Sequence, residues 1–246
     1  MKRFLQTLAS IYIWLMVITV TLLFSTLIII TSFFFRPFDP NRNMANQLAV
    51  LWGKTIVALI PFWKLRIQGR GYLRNNCAYV LVANHASLSD IICLYCTGKH
   101  FKWVAKESLF QIPFFGWAMS ALGYVKLERG KHGSIRDSYE KSLDWLRRNI
   151  SILIFPEGTR AASGKLGDFK NGAFKLATQT KKPIVPIVLI GTKEIIQRGS
   201  ALFNLGARPK IKILKPIATD RYTTQNFEEL KNLVHSQILK ELEDKN

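Results

Sequence analysis

Apolar residues run without a charge from position 4 to position 35, a stretch of 32 residues rich in Leu, Ile, Val and Phe. Lys2 and Arg3 precede it and Arg36 follows it. A straight helix of that length, at about 1.5 Å per residue, exceeds the roughly 30 Å of a bilayer's hydrocarbon layer. It is also longer than the apolar core of a secretory signal, about 7–15 residues, and shows no small-residue cleavage site. The expectation is a retained membrane helix that tilts, breaks near Thr31 and Ser32, or bends back within one leaflet. A Pro- and Asn-rich break at 36–43 separates it from a second, mostly apolar helix over 44–62, interrupted by Asn46, Gln47 and Lys54 and ended by Pro61. That helix is too polar to span comfortably and reads as interfacial or packed on the first. Residues 1–63 are expected to form a membrane-anchoring module and 64–246 a second domain.

Beyond the module the periodicity changes. Short apolar runs at 78–83, 101–105, 124–127, 151–155, 184–189 and 210–214 read as strands. Helical patterns lie between them at 87–95, 134–149, 169–179 and 227–242. The helix over 134–149 lines Ile135, Tyr139, Leu143 and Leu146 along one face. The last helix does the same with Leu230, Leu233, Val234, Ile238 and Leu242. Strands alternating with helices predict an α/β fold, a mostly parallel sheet flanked by helices, with the helical membrane module at its N-terminus.

The net charge of +19 admits three kinds of partner: nucleic acid, an anionic membrane surface or an anionic substrate. The apolar N-terminal run selects membrane lipids. Lys and Arg are dispersed and no recognition motif appears, so no nucleic-acid partner is expected. Lys2 and Arg3 on one side, against Arg36, Arg42 and Lys54 on the other, lead to the expectation that the domain after the module sits on the cytoplasmic face. The three cysteines, an odd and low count, argue against a disulfide framework. Cys93 and Cys96 have CxxC spacing but no second pair, and read as small apolar residues on a buried helix face. His85, His100, His132 and His235 show neither HxxxH nor HExxH spacing, so no metal site is expected.

Two constellations carry chemistry. In NHASLSD, 84–90, His85 directly follows a buried strand, where open α/β sheets place their sites. Five residues along one helix is about 500°, so His85 and Asp90 meet only if His85 sits in the turn and Asp90 in the first helical turn. A carboxylate on one imidazole nitrogen raises the basicity of the other, making a general base for an alcohol. Ser87 and Asp90 equally read as a capping box. In FPEGTR, 155–160, Pro156 and Gly158 force a tight turn after a strand and leave Glu157 and Arg160 projecting. Arginine's planar fork suits a phosphate. Lys106, Arg129 and Lys170 are scattered cations that together would make an anion pocket.

With KESLFQIPFFGW, GYVKLER and VPIV, these segments resemble the 1-acylglycerol-3-phosphate O-acyltransferase family, bacterial type. The resemblance runs from about residue 69 to 192. It implies that His85 is the general base on the acceptor hydroxyl and that Asp90 orients it. Lys106, Arg129 and Arg160 would hold the acceptor's phosphate. Glu157, Gly158 and Thr159 would complete the acceptor site, and Val185, Pro186 and Ile187 would belong to the acyl side. The implied reaction is transfer of a fatty acyl group from an acyl-CoA or acyl carrier protein thioester to the sn-2 hydroxyl of lysophosphatidic acid. No cofactor is implied, and the implied location is the bacterial inner membrane. Another lysolipid acceptor, such as a lysophospholipid or lyso-ornithine lipid, and a non-catalytic lipid-binding role are the alternatives. Lys126 and Glu128 stand where the family commonly has an aromatic residue and Asp, which bears on the acceptor more than on the reaction.

Overall fold

The computed structural model describes residues 2–60, 63–159, 166–196 and 199–244. The chain opens with two helices, α1 (Lys2–Phe35) and α2 (Asn43–Leu59). Strands and helices then alternate: β1 (Arg66–Gln68), β2 (Val80–Ala83), α3 (Ser89–Tyr95), β3 (Phe101–Lys106), α4 (Phe115–Ala121), β4 (Val125–Leu127), α5 (His132–Arg147) and β5 (Ser151–Ile154). The remainder is α6 (Gly172–Thr180), β6 (Ile184–Ile190), α7 (Thr192–Ile195), β7 (Lys210–Ile213) and α8 (Phe227–Glu243).

The strands form one seven-stranded sheet in the order β1-β7-β6-β2-β5-β3-β4. Five of its pairings are parallel, and β6 with β7 is antiparallel. Strands β2, β3, β4, β5 and β6 therefore all end at one edge, and the loops leaving that edge carry the motifs.

Alternation along the strands builds two cores. Leu81, Leu153, Val185 and Ile187 face a layer made by α1 to α4, together with Ile13, Ile28, Ala49 and Ile56. Val80, Val82, Ile152, Ile184 and Val188 face α5, α6 and α8, meeting Leu143, Leu146, Phe174, Leu230, Val234 and Ile238. Ile135, expected on the apolar stripe, is 48% exposed because it lies in the first turn of α5, before the helix reaches the sheet.

Helix α1 is unbroken through Thr31 and Ser32 and packs against α2 and α4. Gln6 Nε2 donates to the Phe203 carbonyl at 3.1 Å, Trp14 Nε1 to the Ala201 carbonyl at 2.8 Å, and the Phe203 N–H to Ser10 Oγ at 2.9 Å. Trp52 Nε1 of α2 donates to Thr21 Oγ1 at 3.1 Å. The helix is long and apolar enough to cross a membrane, and most of its surface is open, with Leu15 62% and Phe33 76% exposed.

Pro186 sits inside β6, where a proline normally breaks a ladder. Ile184 exchanges both backbone bonds with Ile217, and the Pro186 carbonyl accepts from the Leu214 N–H at 2.9 Å. Ile187 already pairs with Ile213, so the β7 side carries an extra residue opposite this stretch. The missing N–H of Pro186 falls at that bulge and costs no ladder bond.

Candidate active site

Strand β2 ends at Ala83 and α3 begins at Ser89, so His85 lies in the turn and Asp90 in the first helical turn. His85 Nδ1 and Asp90 Oδ2 are 2.8 Å apart. The carboxylate is fully buried and the imidazole is 20% exposed. The same Oδ2 accepts the backbone N–H groups of Ala86 at 2.7 Å and Ser87 at 2.9 Å. Asp90 thus makes its half of the expected capping box, to the Ser87 N–H, on the oxygen that orients His85, whereas Ser87 Oγ accepts from Ser89 and the N-cap position is Leu88. Three donors converge on Asp90 Oδ2, and because a carboxylate only accepts, the imidazole proton is on Nδ1.

FPEGTR follows β5, the neighbour of β2, and closes on the histidine from the side. Phe155 stacks on the His85 ring with centroids 4.2 Å apart and planes 23° apart. Glu157 Oε1 accepts the His85 N–H at 2.8 Å, and Oε2 accepts the Gly167 N–H at 3.0 Å. This carboxylate, expected beside the acceptor, is bound to backbone through both oxygens and ties two loops together. Gly158 is left-handed at φ 72°, and a Cβ there would meet the Lys170 side chain at 3.1 Å. Thr159 is exposed, and Arg160 lies outside the described residues.

Asn84, next to His85, is a buried residue that sequence reasoning did not single out. Its Nδ2 donates to the Leu189 carbonyl at 3.0 Å and its Oδ1 accepts the Leu189 N–H at 2.8 Å. That pair of bonds clamps the end of β2 to β6 and sets the height of His85. The signal was a polar side chain at the end of a buried strand, which has to find partners.

Lys106 ends β3 and Arg129 follows β4, both exposed on the same carboxyl edge. At about 4.8 Å per strand they stand two and three strands from β2, roughly 10 and 14 Å away before their side chains reach back. Lys126 pairs with Glu107 at 2.7 Å and Lys131 with Glu128 at 2.7 Å. Lys126, where the family commonly has an aromatic residue, thus neutralises the acid next to Lys106. Val185, Pro186 and Ile187 are buried in β6, and Val185 and Ile187 point to the α1–α4 side. They lie in the sheet floor behind the exposed edge.

The acyltransferase family model matches residues 64–190, a span that holds every motif described above. The chain belongs to the acyltransferase family. An acyltransferase from Arabidopsis thaliana, a chloroplastic 1-acyl-sn-glycerol-3-phosphate acyltransferase, is 40% identical over 78% of this chain and 54% of its own length. A 1-acyl-sn-glycerol-3-phosphate acyltransferase from Saccharomyces cerevisiae is 37% identical over 68% of this chain and 56% of its own. The chain spans about half the length of these curated relatives. The crystal structure of the 1-acyl-sn-glycerophosphate acyltransferase PlsC from Thermotoga maritima shares the fold, with a TM-score of 0.83 and 24% identity over 99% of this chain and 97% of that one.

Proposed function

We propose that this acyltransferase moves a fatty acyl group from an acyl thioester to the sn-2 hydroxyl of lysophosphatidic acid, giving phosphatidic acid. The Asp90 Oδ2 to His85 Nδ1 contact carries the reading, because it leaves Nε2 with a lone pair to act as base. Nε2 takes the hydroxyl proton as the acceptor oxygen attacks the thioester carbonyl. The tetrahedral intermediate then collapses with cleavage of the C–S bond, and the imidazolium returns its proton to the leaving thiolate. The acceptor hydroxyl attacks the thioester directly, so this route passes through no acyl-enzyme and calls for no cofactor.

The names of the relatives support the acceptor, as do Lys106 and Arg129 on the catalytic edge and Arg160 in the matching motif. The donor is acyl-CoA or an acyl carrier protein thioester, both anionic and both attracted by the +19 charge. The exposed apolar side of α1 rests in one leaflet. The hydrogen bonds of Gln6, Ser10 and Trp14 hold that helix against the domain and favour lying over crossing. The catalytic edge would then work at the cytoplasmic face of the membrane, the bacterial inner membrane in the reading drawn from the sequence.

The test is acyl transfer by purified protein in detergent, with labelled lysophosphatidic acid and each thioester donor in turn. Wild-type protein forms phosphatidic acid and His85→Ala does not. Equal product from His85→Ala overturns the base assignment. A preference for acceptors without phosphate overturns the acceptor.

A further inference from the structure

A cleft of about 740 Å³ opens between the end of α1 and α4. Ile29, Ser32, Phe33 and Arg36 line it from one side, Arg42 from the turn before α2, and Ser120 from α4. Its place in the fold separates it from the His–Asp pair. Lys102 Nζ, from the second residue of β3, donates to the Asn41 carbonyl at 3.3 Å, which puts the 36–42 turn at the amino edge of the sheet. His85 lies at the carboxyl edge, and a six-residue strand such as β3 separates the two edges by roughly 20 Å.

Basic groups are crowded together there. The Arg42 guanidinium is held below its usual range by burial first and then by Arg36, with Arg148 adding to the effect and Asp39 opposing it. Lys102, fully buried with Nζ 4.8 Å from the Trp145 ring centre, is pushed down to about 7 by burial and then by Arg42. His100 is lowered to about 3 by burial and then by Lys102 and Lys99. Asp39 opposes all three, but its carboxylate is already engaged at the start of α2, by the Met44 N–H at 2.8 Å and Asn43 Nδ2 at 3.1 Å.

Two further facts fit an anionic ligand. Arg42 Nε and Nη1 are sealed from solvent with no acceptor among the described residues, and Ser32 Oγ is in the same condition. Buried guanidinium donors without an acceptor are costly. The walls beside them are hydrocarbon, from Ile29 and Phe33. An anion that carries a hydrocarbon tail meets all of these features.

We propose that this cleft binds one anionic phospholipid molecule, with its phosphate on Arg36 and Arg42 and an acyl chain along Ile29 and Phe33. It is a second lipid site, apart from the reacting one. Arg36 and Arg42 are the first basic residues after the uncharged run, so they come to the headgroup layer when the apolar side of α1 is immersed. The inference rests on the membrane placement proposed above, which binding to neutral vesicles tests by itself.

The experiment uses the full chain in detergent, titrated with short-chain phosphatidylglycerol, short-chain phosphatidylcholine, glycerol phosphate and inorganic phosphate. The variants are Arg36→Gln/Arg42→Gln and a control, Arg136→Gln/Lys240→Gln, which removes the same charge elsewhere. Phosphatidylglycerol should saturate at one molecule per chain. The double variant should lose about tenfold per arginine, the size expected for charge-assisted hydrogen bonds, and the control should bind as wild type. Equal losses in both variants mean general surface attraction and overturn the site. Inorganic phosphate or glycerol phosphate binding as tightly as the lipid overturns the lipid assignment, and phosphatidylcholine binding equally overturns the requirement for an anion. Arg36→Gln alone, at an exposed helix end, gives the same reading if the double variant fails to fold. Failure of anionic lipid binding alongside retained binding to neutral vesicles separates this inference from the membrane placement.

Discussion

The backbone N–H of His85 donates to Glu157 Oε1 at 2.8 Å, so the motif after β2 is held by the motif after β5. The other oxygen of Glu157 takes the Gly167 N–H, which joins a third segment to the same carboxylate. Glu157→Gln removes an acceptor and places an amide N–H against a backbone N–H. The expected result is a kcat about tenfold to a hundredfold lower with little change in the KM for lysophosphatidic acid, as for a displaced base. A raised KM with unchanged kcat would instead place Glu157 on the acceptor.

Asp90→Asn should be milder than loss of the side chain. The Ala86 and Ser87 N–H groups fix the amide oxygen where Oδ2 now stands, so the imidazole tautomer survives and only the negative charge is lost. That charge stabilises the imidazolium by about 1.5–3 kcal/mol, or roughly ten- to a hundredfold in kcat. Asp90→Ala also strands two backbone donors, and should show lower activity than Asp90→Asn together with a lower Tm. Steady-state rates and thermal melts on the two variants check the order.

Lys106→Gln and Arg129→Gln are expected to raise the KM for lysophosphatidic acid about tenfold each and to leave kcat nearly unchanged. Activity of the wild type should fall with ionic strength, and the double variant should show a flatter salt dependence. Initial rates over a salt series measure both effects. A steep salt dependence retained in the double variant would move phosphate recognition elsewhere.

Lys102 makes stability depend on pH. Its folded value, about 7, lies below the ordinary lysine value of 10.5. Between these values the unfolded chain binds more protons than the folded one, so the stability contributed by this group rises as pH rises from 7 towards 10.5 and is lost as pH falls through 7. Lys102→Met removes that dependence and keeps the volume. The expected result is a variant with a higher Tm than wild type at pH 7, by a margin that narrows at pH 9. A margin independent of pH would show that Lys102 is not neutralised by burial.

Much of the fold was legible because it is written in local periods. The runs at 78–83, 151–155 and 184–189 contain the strands Val80–Ala83, Ser151–Ile154 and the greater part of Ile184–Ile190. The strand β1 was not legible. Its three residues, Arg66, Ile67 and Gln68, have no apolar pattern and are ordered by pairing with Lys210, Ile211 and Lys212 far along the chain. Helix α4, with seven residues, is too short to show a period. The lying of α1 had a faint trace in Gln6, Ser10 and Trp14, which recur every four residues and so share one helix face.

What the sequence alone determined is most of the longer elements and the spacing that lets His85 and Asp90 meet across a turn. Both depend on residues within a few positions of each other, where bond geometry and capping chemistry decide the outcome. Only the tertiary structure decided that Glu157 reaches the His85 backbone, that Asn84 clamps Leu189, and that α1 lies along the domain. Those contacts join residues 72, 105 and up to 197 positions apart. No local pattern encodes such pairings; they follow from the order in which the sheet sets its strands side by side.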